Sequence, residues 1–337
     1  MKLVRLADRP GDWDQQIQRF PNRTLFHESA WLDYLRFTRP HSRIEYFEIR
    51  RGLACVGYFC AVRVRKLVYA YWGSPLPWAG MYMGPVVEPQ LDQEELVHLL
   101  TEQCRKERIA HLELSNDWLD ASVMQAAGFQ VDTSVTHVCP LAGGAAAVWA
   151  GMAGTCRTRI RKAEKSQLTA ESADDPAVVE DFYGLFARVL TNKGSRPSYS
   201  LEHARALFHH LHSADRLFVI RVKLQDRLIA TGFYPHDDRA MYYLDAGYEP
   251  DFLELCPNNL MHWTAMRMAI ERRITSFNMG GGPHPSRFTQ KFGGGLQPYL
   301  TYHKSFVPFF DQARQVYHFV MRRAGDGARA GQGRPER

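Results

Sequence analysis

Residues 240–293 read AMYYLDAGYEPDFLELCPNNLMHWTAMRMAIERRITSFNMGGGPHPSRFTQKFG, and the order of signals in this run decides the fold. Residues 240–245 are few and rich in aromatics, the composition of a strand. Pro257 stands where a first helical turn tolerates a missing amide. Leu260, Trp263, Arg267 and Ile270 recur behind it at helical spacing, which predicts a helix over 257–273. Residues 274–279 read as a second strand, and Gly280, Gly281 and Gly282 end it with backbone that can turn sharply or approach a ligand closely. Strand, helix, strand and glycine loop at these lengths make a βαβ unit.

Working upstream, residues 217–222 and 227–234 read as paired strands, residues 178–190 and 201–211 as helices, and residues 193–199 as a polar loop between them. Cys156 to Lys165 is a dense basic helix candidate, and the glycine-rich stretch 142–155 before it marks a boundary. The first half carries a helix over 25–37 with Phe26, Ala30, Leu32, Leu35 and Phe37 as core candidates. Strands over 44–50 and 53–65 follow, joined at Arg51 and Gly52. Residues 69–85, with Trp72, Trp78 and Tyr82, read as a structured loop and a short strand. An amphipathic helix over 94–108 turns Leu96, Leu99, Leu100 and Cys104 one way, and a strand at 111–114 and a helix at 121–127 come after it. The two halves thus repeat one order: helix, strand hairpin, strand, helix, strand. The expected fold class is mixed α/β in two similar domains, 1–150 and 151–310. Residues 311–337 would hold a terminal helix ending near Arg323 and a disordered basic tail.

At 337 residues, two cores are the prior. The formal charge of +6 suits phosphate-bearing ligands, tRNA or an anionic membrane surface. Six cysteines form no CxxC pair and the first residues resemble no secretory signal, so reduced thiols in a cytoplasmic protein are expected. No apolar run is long enough to cross a bilayer, which leaves at most peripheral membrane contact.

Acyl transfer to an amine needs a neutral nucleophile, donors for the developing oxyanion and a route for the proton. Backbone amides at Gly280, Gly281 and Gly282, or the ammonium of Lys291, are candidates for holding negative charge. Alternation along residues 240–245 puts Tyr243 and Asp245 on one face, a phenol and a carboxylate offered to one ligand. A glycine turn for tight packing and core tyrosines would use the same residues. Arg157, Arg159, Arg161, Lys162 and Lys165 place several cations on little more than two helical turns, suited to a phosphate or to a solvated helix face. His203, His209, His210 and His212 lack acidic or cysteine partners at ligand spacing, and no metal site is expected. Arg322, Gly325 and Gly327 match a pyrophosphate-loop spacing by chance, with no strand before them.

At IRKAEK (160–165), SRPSYS (195–200), CPNNLMHW (256–263) and FNMGGG (277–282), the chain resembles the FemAB-like branch of the GNAT superfamily, with a BioF2-like acetyltransferase domain. That branch includes peptidoglycan-bridge aminoacyltransferases and tandem-GNAT proteins of polysaccharide-associated loci. The resemblance implies two GNAT-like domains facing each other, no tightly bound cofactor, an aminoacyl-tRNA or acyl-CoA donor, and an amine acceptor on a small-molecule or lipid-linked precursor. It implies acceptor binding by Arg196 and Tyr199, where a guanidinium can clamp a phosphate or carboxylate and a phenol adds one directed bond. Two positions depart from the family pattern: Asn278 stands for an aspartate before the glycine turn and Thr289 for a lysine, with Lys291 two residues on. The expected function is acyl or aminoacyl transfer to an amine of a cell-envelope or polysaccharide precursor. The alternatives are acyl-CoA-dependent transfer to a small molecule and a silent tandem-GNAT binding protein.

Overall fold

The computed structural model describes residues 1–66, 69–75, 82–281 and 286–308. Gly282, Trp78, the expected helix after residue 310 and the basic tail lie outside the described residues.

The first half comprises β1 (Lys2–Arg5), α1 (Trp13–Gln18), a 3-10 turn (Leu25–His27), α2 (Ser29–Thr38), β2 (Ser42–Arg51), β3 (Ala54–Lys66) and β4 (Tyr69–Ser74). It continues with β5 (Pro85–Val87), α3 (Gln93–Lys106), β6 (Ile109–Asn116), α4 (Ala121–Ala126) and β7 (Gln130–Pro140). Then come α5 (Gly144–Gly151), α6 (Gly154–Lys165), β8 (Leu168–Ser172), α7 (Val178–Asn192), α8 (Leu201–His212), β9 (Leu217–Leu224) and β10 (Arg227–Pro235). The last part holds β11 (Ala240–Tyr242), β12 (Asp245–Tyr248), α9 (Pro257–Glu271), β13 (Ser276–Gly281) and β14 (Gly295–Ser305).

Local chemistry explains the element ends. The Asp92 carboxylate accepts the amides of Glu94 and Glu95 at 2.9 and 3.3 Å and so starts α3, whose Leu96, Leu100 and Cys104 are buried. The segment expected as one helix over 25–37 is broken at Glu28, whose backbone is extended. Trp31 is buried there, while Phe37 is 53% exposed. In α9 the expected stripe is wider than drawn: nearly every residue from Pro257 to Met266 is buried, while Arg267 faces solvent.

Two crossovers set the topology. β4 pairs in parallel with β6 through α3, and β11 pairs in parallel with β13 through α9, so the repeated order in the two halves has a repeated geometry. Among the described residues the strands form a ten-stranded mixed sheet, ordered β1-β2-β3-β4-β6-β14-β7-β13-β11 with β5 against β3, and a four-stranded antiparallel sheet, β12-β10-β9-β8. β7 of the first half lies between β14 and β13 of the second. β14 was not expected from sequence: Pro298 stands inside it, and of its residues only Tyr302 is buried.

Three apolar clusters fill the molecule. One packs α3 and α4 on the first half's strands through Leu96, Leu112 and Met124, and a second packs α6 and α9 on β9, β10 and β13 through Ile160, Met266 and Phe277. The third takes side chains from both halves, among them Trp13, Phe26, Tyr46, Phe182, Leu207 and Phe233. Beside it Arg23 reaches Glu28 at 3.0 Å and Asp238 at 2.6 Å, Arg216 reaches Glu28 at 2.5 Å, and Asp237 accepts the Leu25 amide at 2.8 Å. Apolar burial, with the half-exposed Arg23–Asp238 and Arg216–Glu28 ion pairs across the seam, fixes one half on the other.

Candidate active site

The strand expected over 240–245 is interrupted, and the interruption makes the site. Tyr242 pairs with Asn278 of β13, and the amide of Tyr243 still donates to the Asn278 carbonyl at 2.8 Å. The next amide, that of Leu244, donates instead to Phe233 of β10 at 3.2 Å, and Asp245 pairs with Phe233 in the other sheet. The two sheets therefore part at Tyr243 and Leu244, and β12 is an edge strand along the gap.

Asp245 opens β12 just past this parting of the sheets. Its Oδ2 accepts the Tyr199 hydroxyl at 2.9 Å. Burial pushes the Asp245 carboxyl up to about 6, against the opposing pull of the Tyr199 hydrogen bond, and no cation contributes to the shift. Burial first, and the neighbouring Asp245 charge second, push the phenols of Tyr199 and Tyr243 well above their ordinary value. Tyr34 of α2, raised to about 12 mainly by burial, also senses the Asp245 charge. One half-buried carboxylate is thus ringed by three protonated phenols, two anticipated from sequence and one missed because it comes from a distant helix.

The loop that carries Tyr199 is held in place. Its ring stacks on Phe186 of α7 with centroids 5.3 Å apart, and Tyr183 donates its hydroxyl to the Tyr199 carbonyl at 2.9 Å. Arg196, three residues earlier, is exposed. On the other side the Tyr243 ring meets His262 edge-on at 4.8 Å. His262 shares a hydrogen bond between Nδ1 and the Tyr234 hydroxyl at 2.9 Å, and burial drives its imidazole down to about 3, so it stays neutral. Phe288 and Phe292 lie 5.6 and 5.3 Å from the His262 ring, continuing an aromatic floor away from Asp245.

That floor leads to a cavity of about 640 Å³ at the start of α9, lined by Arg159, Lys162, Asn258, Asn259, Cys256 and Phe288 among others. Cys256 is left-handed at φ 61° and Pro257 occupies the first turn, so the helix begins abruptly at the cavity. First-turn amides and the positive end of a helix favour an anion. The five cations expected to act together on α6 do not. Arg157 caps α5 by donating to the carbonyls of Ala150 and Met152, at 3.0 and 2.5 Å, and Arg161 lies over the Trp149 ring at 5.3 Å. Arg159 and Lys162 remain to line the cavity. The thiol of Cys156 is raised by burial; the Asn259 hydrogen bond and the charges of Arg159, Lys291 and Arg157 oppose the rise, which puts the Lys291 ammonium on this side of the site.

The glycine loop has a structural explanation. A Cβ on Gly281 would stand 1.9 Å from the Val135 carbonyl oxygen, so β7 can pack there only against glycine, and Gly280 is left-handed at φ 77°. The Gly280 amide is already donated to Asn278 Oδ1 at 2.9 Å. Asn278 also accepts from Thr136 at 2.5 Å and donates through Nδ2 to the Tyr82 hydroxyl at 2.8 Å, a donation that an aspartate could not make. Its side chain thus opens on a separate pocket of about 310 Å³ with Arg23, Tyr82, Arg239 and Tyr299, not on the Asp245 gap. Thr289 is buried, with its hydroxyl on the Ser286 carbonyl at 2.9 Å, and offers no charge.

Residues 150–288 match the acetyltransferase (GNAT) domain family. No curated protein matches the chain in sequence. In fold it is similar to FemX, at 14% identity and a TM-score of 0.72, over 89% of this chain and 97% of that one. It is also similar to a tandem GNAT protein from the clavulanic acid biosynthesis pathway, at 14% identity and TM-score 0.53, over 91% and 99% of the two chains. A third similar structure is the C-terminal domain of a putative lysylphosphatidylglycerol synthetase from Agrobacterium fabrum, at 14% identity and TM-score 0.52, over 82% and 87%. Splayed sheets and paired crossovers give the chain the fold of FemX and of the tandem GNAT protein, with residues 150–288 matching the acetyltransferase (GNAT) domain.

Proposed function

We propose that the protein moves an acyl or aminoacyl group onto an amine of a cell-envelope or polysaccharide precursor, with Asp245 as the base that makes the amine neutral. The observation that carries this reading is the half-buried carboxylate at the sheet opening, raised to about 6 and bound by Tyr199 at 2.9 Å. Such a group is ionised at neutral pH yet close enough to the working pH to take a proton from an ammonium. The freed nitrogen attacks the acyl carbon, the new C–N bond forms, and the bond to the donor's sulfur or oxygen breaks. The Tyr243 hydroxyl, held protonated, supplies a hydrogen bond to the developing oxyanion, while the Tyr199 hydroxyl stays on Asp245. Asp245 passes the proton it took from the ammonium to solvent, and the second proton, lost from nitrogen as the amide forms, goes to the leaving sulfur or oxygen. Because the Gly280 amide is committed to Asn278, the Tyr243 phenol takes the place first given to the glycine loop.

Donor and acceptor would approach from opposite sides. Phosphate of the donor would occupy the cavity at the start of α9, with Arg159 and Lys162 on one wall and Lys291 nearby. Arg196, beside Tyr199 at the other end, would meet the acceptor. The division proposed is a unit over 1–150 that backs the acceptor side and a unit over 151–310 that carries the chemistry and, through Arg196, the acceptor contact. An aminoacyl group on an envelope acceptor draws support from the lysylphosphatidylglycerol synthetase likeness, and acyl-CoA from the GNAT domain match. Among the described residues no helix is long and apolar enough to cross a membrane, so a lipid-linked acceptor would be met at the surface.

Titration of the purified protein with acyl-CoA tests the donor. Micromolar binding that weakens in Arg159→Ala and Lys162→Ala selects acyl-CoA, and no binding at millimolar concentration selects aminoacyl-tRNA. Mass spectrometry of amine acceptors incubated with either donor tests the reaction itself. Transfer by the native chain that persists undiminished in Asp245→Asn would overturn the assignment of the base.

A further inference from the structure

Far from the gap, the pairing of β6 with β14 assembles a second constellation. His111 and Glu113 are two apart on β6 and share a face. The register puts Ser305 opposite His111 and His303 opposite Glu113, on that same face. Ligand atoms of His111, Glu113 and His303 all lie within 4.8 Å of one another. The Nδ1 of His303 is buried, has no hydrogen-bond partner, and lies 3.4 Å from Oε2 of Glu113. Its Nε2 is held by Oδ2 of Asp132, on β7, at 3.0 Å. His111 is likewise oriented through Nδ1, 2.8 Å from the Ser305 hydroxyl.

We propose that His111, Glu113 and His303 bind one divalent transition-metal ion, Zn²⁺ by the chemistry of the set. Two imidazoles and one carboxylate are the borderline ligands that Zn²⁺ takes, and three protein ligands leave a position for water. With Nδ1 on Ser305, His111 ligates through Nε2, and His303 ligates through Nδ1 while Asp132 fixes its other nitrogen. Each imidazole thus has an outer partner that sets its tautomer, as metal-bound histidines require. One pair is already at 3.4 Å, and bringing the others, within 4.8 Å, to the roughly 3.4 Å edge of a tetrahedral zinc site takes side-chain rotation on paired strands. Asp132, 75% exposed at its side chain, marks the way in from solvent. The ion ties the last described strand of the second half to a strand of the first. Sequence gave no hint of the site, because His111 and His303 are far apart in the chain and neither falls in a ligand-spaced motif.

The test is calorimetry with Zn²⁺ on the full chain after chelator treatment, alongside Co²⁺ absorption spectroscopy on the same protein. One ion per chain is expected at micromolar affinity or tighter, with Co²⁺ giving the visible bands of a four- or five-coordinate N/O site. His303→Asn and Glu113→Gln should each weaken binding at least a hundredfold, and Asp132→Asn roughly tenfold, as an outer partner does. A variant with His209 and His210 both replaced by Gln, on the surface of α8, should bind like the native chain. No binding at 100 μM by the native chain would overturn the proposal. So would binding that survives Glu113→Gln or is abolished by the α8 double variant. Should His303→Asn fail to fold, Glu113→Gln and the native Co²⁺ spectrum still decide.

Discussion

Replacing Tyr199 by Phe removes one oxygen and should move the pH dependence of the reaction. In the native chain the Tyr199 hydroxyl donates to Asp245 at 2.9 Å and pulls the carboxyl down against burial, leaving it at about 6. A hydrogen bond to a charged group contributes about 1.5–3 kcal/mol. One pH unit in a pKa corresponds to about 1.4 kcal/mol, and part of the bond is replaced by water at a site that is not fully buried. Loss of the hydroxyl should therefore raise the Asp245 carboxyl by roughly one pH unit. The base form, which the proposed reaction needs, exists above that value, so kcat/KM should rise with pH through about 6 in the native chain and through roughly 7 in the variant. At high pH, where both proteins carry the carboxylate, the two should differ less than at pH 6. The assay is a pH–rate profile of transfer to an amine, with carboxyl titration followed by NMR as an independent reading. A Tyr199→Phe variant that folds, keeps its activity and shows the native acidic limb would refute Asp245 as the base.

Four further outcomes follow from the geometry. Asp245→Asn should lower kcat by about 10²–10⁴ while changing donor affinity little; steady-state kinetics with both substrates varied checks it. The same carboxyl is raised in the folded state, so its ionisation opposes folding. Stability from this group is fully present below the unfolded value near 3.8 and is lost as pH rises through about 6, and urea midpoints across pH 4–7 should fall less steeply for Asp245→Asn. Glu28→Gln should destabilise the chain by about 3 kcal/mol, because it takes a carboxylate from the buried Arg23 and from the partly exposed Arg216; urea denaturation reads it. Gly281→Ala should cost about 3 kcal/mol or more, since the methyl would meet the Val135 carbonyl oxygen at 1.9 Å, and expression yield with thermal melting shows it.

The legible parts of the fold were those whose partners lie nearby in sequence. Pro257, the run of apolar residues after it and the short strands on either side announce the crossover of α9, and Asp92 announces α3 in the same way. β14 has no such signal, because its alternation is masked by Pro298 and its pairing strands are β6 and β7 of the first half. Within the site, Tyr199, Tyr243 and Asp245 could be named from the resemblance and from strand spacing. Their closeness comes from an interruption at Leu244 that composition does not mark. Charge counting misread α6, since Arg157 and Arg161 are spent on α5 and Trp149 while only Arg159 and Lys162 line the cavity. The glycine loop was read toward a ligand, and at Gly281 it answers instead to the backbone of β7. Tyr34 needed the packing of the two halves to be seen at all.

The lodging of β7 between β13 and β14 also bears on how the chain is made. As residues leave the ribosome in order, β6 and β7 are complete long before the strands that cover their edges exist. Until Ser305 has emerged, the first half presents open hydrogen-bonding edges that invite pairing with a neighbouring chain. Contacts this distant in sequence form slowly, because a long loop must be closed before they yield any return. Either half expressed alone would keep those edges exposed for good and should aggregate, and the full chain should gain most from slow synthesis at low temperature.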